Sequence, residues 1–72
     1  MRIEHPDDYL GKKIVLHFTD GDTMTCELIG YSFDYDDDGN EFSELDVETI
    51  PGGREIGLTE MEIDHIEVLG DV

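Results

Sequence analysis

From Lys13 the chain alternates. Ile14, Leu16 and Phe18 fall on one side, and Val15, His17 and Thr19 on the other. A period of two is a strand pattern. Asp20-Gly21-Asp22 follows at once and supplies the positive-φ residue that a tight hairpin needs. The alternation resumes over about Thr23 to Phe33, with Met24, Cys26 and Leu28 sharing one face. A chain that opens this way is committed to paired strands.

The rest of the sequence keeps to that pattern. Gly30 marks a bend or bulge inside the long second strand. Residues 34–40 are too rich in Asp, Asn and Gly for an interior strand and read as a turn. A third strand runs from about Glu41 to Ile50, with Leu45 and Val47 inward and Glu44, Asp46 and Glu48 in water. Pro51-Gly52-Gly53 is a turn, and Arg54 to Leu58 a short fourth strand. The three-residue step from Ile63 to Ile66 suggests a helical turn leading into a last strand, Ile66 to Leu69. Before the first strand, Pro6-Asp7-Asp8 suits the first turn of a short helix that Gly11 can stop. Residues 1–72 thus read as one all-β domain. The expected fold is a five-stranded, strongly bent small barrel with a short N-terminal helical turn, and Leu16, Leu28, Val47, Ile66 and Val68 inward. Phe33 is expected to close the barrel end. For Tyr9, Tyr31, Tyr35 and Phe42 the competing reading is exposed aromatics around the acidic loop, which would suit a basic protein partner bearing Arg or Lys.

Seventy-two residues allow only a thin core, with no volume for a deep active-site cavity. A hydrophobic share of 38% still favours folding over disorder. Charge is the extreme property. Twenty Asp and Glu oppose four Lys and Arg, a net of −16. The excess is concentrated: residues 1–33 carry −3 and residues 34–72 carry −13, with Arg54 the one cation there. Such a field repels phosphates and attracts basic surfaces. Solubility alone and adaptation to high salt are the competing explanations. One cysteine, Cys26, excludes an internal disulfide. With no signal-peptide-like or membrane-length apolar run, a cytoplasmic setting is the default expectation.

Among the motifs, Asp34-Tyr35-Asp36-Asp37-Asp38-Gly39-Asn40-Glu41 has the alternating oxygens of a calcium loop. Asp34, Asp36, Asp38 and Asn40 are therefore the candidate ligands, with Ca²⁺ the only cofactor suggested. The pattern breaks where a bidentate Glu should stand, because Leu45 occupies that place. The competing reading is a solvated hairpin tip. Cys26 sits mid-strand and reads as a buried, inert thiol. His5, His17 and His65 lack metal-ligand spacing. No acid pair stands out, and no phosphate loop is present. The chain is not expected to be an enzyme.

Leu10-Gly11-Lys12-Lys13-Ile14-Val15-Leu16-His17-Phe18-Thr19-Asp20-Gly21, Glu27-Leu28-Ile29-Gly30-Tyr31-Ser32-Phe33-Asp34 and the closing Ile63-Asp64-His65-Ile66-Glu67-Val68-Leu69 resemble the Sm-like (LSm) small barrels. The resemblance covers residues 9–69. It implies strands that pair between subunits to close rings, and RNA binding at the pore. The residues the family uses for RNA are not matched. Cys26 stands where the second strand usually has glycine. Asp34 and Asn40 are spaced too widely, and Leu58-Thr59-Glu60-Met61-Glu62 replaces an Arg-Gly loop. The expected role is a non-catalytic assembly or protein-docking module, as a homo-oligomeric ring or on a basic protein. Asp36, Asp37, Asp38, Glu60 and Glu62 are the candidate partner-binding residues. One alternative is an acidic decoy, such as a phage could encode, that occupies the groove of a nucleic-acid-binding protein. A divergent Sm-like RNA binder is the other.

Overall fold

The computed structural model describes all residues, 1–72. Gly21 turns the first hairpin at φ +94°, a conformation that side chains disfavour. On either side of it lie β1 (Lys12–Phe18) and β2 (Thr23–Tyr35). Then come β3 (Glu41–Thr49), β4 (Glu55–Thr59) and β5 (Ile63–Asp71). Short 3-10 turns occupy Pro6–Tyr9 and Glu60–Glu62. All strand pairs are antiparallel, in one sheet of order β4-β3-β2-β1-β5. The fold is the expected all-β, five-stranded bent small barrel with a helical turn at its N-terminus.

The bend is visible in β2. Thirteen extended residues would span about 40 Å, more than the 37 Å of the longest molecular axis. The ladder to β3 shifts between Leu28 and Gly30, so two residues of β2 stand against one of β3. This bulge reverses the facing of β2. Before it, Cys26 and Leu28 point into the core. After it, Tyr31 and Phe33 lie opposite the buried Leu45 and Ser43.

The core comprises Ile3, Ile14, Leu16, Cys26, Leu28, Leu45, Val47 and Ile63, with Tyr9, Phe18, Met24, Ile56, Leu58 and Ile66 packed around it. Burying each large aliphatic side chain stabilises by about 1.5–3 kcal/mol. Leu16, Leu28 and Val47 are fully buried as expected, and Ile66 is half-buried.

Three expectations need correction. Val68 lies opposite the fully buried Ile14, yet it is 49% exposed. Nothing in the chain covers that side of β5, because β5 and β4 are the two unpaired edges of the sheet. Second, the step from Ile63 to Ile66 is not a helical turn. Both residues belong to β5, and the irregular spacing is a bulge at which His17 pairs with His65 and Phe18 with Ile63. The helical turn sits just before, at Glu60–Glu62, where Thr59 and Glu62 form a reciprocal capping box. Third, Phe33 does not close the barrel end; it is 48% exposed on the part of β2 that runs past the core.

Candidate functional site

The register assembles an acidic face that the sequence left scattered. Side chains directly opposite one another in a sheet share a face. Glu27 pairs with Glu48, and Glu48 with Glu55, so three carboxylates line up across β2, β3 and β4. Lys13 of β1 ends that row opposite Glu27. The next row has Asp46 between Gly30 and Gly57, and the one after it Glu44 between Ser32 and Thr59. Five acids thus stand on one rigid face. None of them takes part in an ion pair. Like charges placed directly opposite destabilise a sheet, so the fold carries this face at a cost.

The alternation of Glu44, Asp46 and Glu48 was legible in the sequence. The alignment with Glu27 and Glu55 was not, because it depends on the register of three strands.

Of the candidate partner residues, Asp36, Asp37 and Asp38 lie at the exposed tip of the β2–β3 hairpin. Asp36 is occupied there: its Oδ1 accepts from the Asp38 N–H at 3.0 Å and the Asn40 N–H at 2.9 Å. Asp37 and Asp38 present free carboxylates. Glu62 is exposed, but its Oε2 accepts the Thr59 N–H at 2.8 Å.

Glu60 was expected at an accessible surface and is instead buried, 8% exposed. One carboxylate oxygen accepts the Ser43 N–H and the other the Ile3 N–H at 3.2 Å. The Ser43 hydroxyl donates to the Ile3 carbonyl at 2.6 Å. The ladder between β3 and β4 ends at Glu44 and Thr59. Glu60 continues it with a side chain, satisfying the next β3 donor and tying residue 3 to the sheet. Its place is inside the fold.

The candidate calcium ligands Asp34, Asp36, Asp38 and Asn40 lie at the end of β2 and in the β2–β3 turn. No three His, Cys, Asp or Glu side chains are placed to hold a metal ion. Asp34 Oδ1 accepts the neighbouring Tyr35 N–H at 2.8 Å, and Asp36 Oδ1 braces the turn. The loop is flanked by strands rather than by the helices of an EF-hand.

Two other groups merit description. Cys26 is fully buried, and burial pushes its thiol up to about 11. A thiolate nucleophile is thereby disfavoured. On β1 and β5, the His17 and His65 rings stack at 4.0 Å. His17 Nε2 lies 3.4 Å from Glu67, and His65 Nδ1 lies 2.7 Å from Asp64. The hydrogen bond with His65 holds the Asp64 carboxyl below its ordinary value, helped by the charges of His65, the amino terminus and His17. The sequence showed the two histidines but not their pairing across strands.

No helix is long and apolar enough to cross a membrane. Comparison with protein-family models, curated proteins and solved structures finds no match.

Proposed function

We propose that this protein is a non-catalytic, Sm-like docking module whose acidic sheet face binds the basic surface of a partner protein, and that it does not bind RNA. The supporting observation is the unpaired row Glu27–Glu48–Glu55 with Asp46 and Glu44 beside it. Charges that weaken the fold and find no partner within it suit a partner outside it. Asp37 and Asp38 extend the same field along the hairpin. Nucleic-acid binding runs on Lys and Arg that displace counterions from phosphates, and four such residues against twenty acids cannot form a basic stripe. An acidic decoy for a nucleic-acid-binding protein would use this same face.

The test is the association rate with a nona-arginine peptide, measured for two charge-reversed variants of equal net charge. Glu48→Lys with Glu55→Lys should slow association several-fold more than Asp7→Lys with Asp8→Lys, which lie on the N-terminal turn. Equal slowing by both pairs would reduce the effect to net charge and contradict a localised face.

A second reading, assembly into a homo-oligomer, is favoured by one observation. Val68 is half exposed opposite buried Ile14, on a strand whose outer edge is unpaired. Repulsion between copies opposes assembly at low salt. An oligomer should therefore appear in light scattering at high protein concentration and high salt. A monomer under those conditions removes this reading.

A further inference from the structure

We propose that the aromatic side of the β2–β3 arm, around Phe33, is the anchor for an extended arginine-bearing segment of the partner. The inference rests on the docking reading and adds the place and the chemistry of contact.

The chain has three Phe and three Tyr. Half of these rings, Tyr31, Phe33 and Tyr35, alternate along five residues of β2 and all are exposed. The bulge beside Gly30 puts Tyr31 and Phe33 on the face that is core elsewhere. Past the core both are exposed, and their rings meet edge to face at 5.8 Å. Phe33 and Phe42 wall a shallow groove whose other side is the N-terminal segment, residues 2–4. Its floor at Ser43 and Glu60 is rigid, held by the hydrogen bonds to Ile3.

Charge selects the occupant. Glu4 and Glu41 line the groove, and Asp34, Asp37 and Asp38 continue along the arm. The single cation lining it, Arg2, is exposed and turned to Glu4 at 3.0 Å, so Glu41 keeps a carboxylate free of any cation beside the rings. Rings surrounded by carboxylates suit a planar guanidinium, which stacks on a ring while its N–H groups reach the acids. Lysine offers the charge without the plane. Across interfaces, opposite charge mainly steers encounter, whereas buried aromatic anchors set the lifetime of the complex. The acidic sheet face and the aromatic arm therefore have separable effects.

The experiment compares two nine-residue peptides of equal charge, alternating Arg-Thr and alternating Lys-Thr, by NMR titration. The Arg peptide should bind more tightly, shifting the ring signals of Phe33 and Phe42. Phe33→Leu keeps apolar volume but loses the ring, and should weaken the Arg peptide about fivefold to tenfold while leaving the Lys peptide nearly unchanged. Thermal melting of that variant checks the fold, which an exposed side chain should barely affect. Glu48→Gln with Glu55→Gln should weaken both peptides alike. If Phe33→Leu leaves the Arg peptide unaffected while the sheet-face pair still weakens both, the arm proposal is overturned and docking stands. If neither peptide binds at low salt, the docking reading falls and takes the arm with it.

Discussion

Two sets of carboxylates in this molecule do opposite things. At the end of the sheet, Glu60 is buried and accepts from Ser43 and Ile3, residues 17 and 57 positions away in sequence. Across the outer face, Glu27, Glu48 and Glu55 stand in register and form no ion pair, with Lys13 the one cation in the row, opposite Glu27. The first set holds distant chain segments together. The second works against the fold that displays it. An acid count alone cannot tell these apart; only the partner atoms can.

That contrast can be broken at either end. Glu60→Ala should be the most damaging change, because it strands two backbone donors in the interior at about 1–3 kcal/mol each. Leu28→Ala, which empties part of the core, should cost about 2–5 kcal/mol. A domain of this length has roughly 4–11 kcal/mol in all, so either variant should melt far below the parent in urea titration. Little change for Glu60→Ala would mean that the contact to Ser43 and Ile3 is not a tie.

Cys26 tests how tight the interior is. Its thiol, raised to about 11, should react with a thiol reagent at pH 8 far more slowly in the native protein than in urea. The sign for stability follows. The unfolded thiol ionises first as pH rises, so the contribution of Cys26 is intact below the ordinary thiol range and is lost towards pH 11. Fast native labelling at pH 8 would show that the core opens readily.

The outer face should respond in the reverse direction. Glu48→Gln relieves contacts with two like charges and should raise stability by about 0.2–1 kcal/mol, more at low salt than at high. A loss of stability instead would mean that Glu48 serves the fold as Glu60 does. The smallest effect belongs to Asp64, which is fully exposed. With its carboxyl lowered mainly by the hydrogen bond with His65, its contribution is present above the ordinary Asp range and is lost as pH falls through the lowered value. Asp64→Asn should therefore leave the acid limb of a stability–pH profile slightly flatter.

The strands, the hairpin turn at Gly21 and the bulge beside Gly30 were legible because local signals fix them: a period of two, a positive-φ turn, a glycine in mid-strand. Three features were not. Glu60 looks like any acid in Leu58-Thr59-Glu60-Met61-Glu62, and its burial depends on the arrival of Ile3 from the far end of the chain. Phe33 is out of step with Met24, Cys26 and Leu28; the bulge turns it to the core face, but on a part of β2 that runs past the core. The row Glu27–Glu48–Glu55 depends on the register of three strands, which alternation along one strand cannot supply.

The most direct measurement is a pair of calorimetric titrations of the purified protein at physiological salt, one with the nona-arginine peptide and one with a uridine-rich RNA. An acidic docking module predicts saturable binding of the peptide, weakening as salt rises, and no heat from the RNA. Tight binding of the RNA with none of the peptide would contradict it.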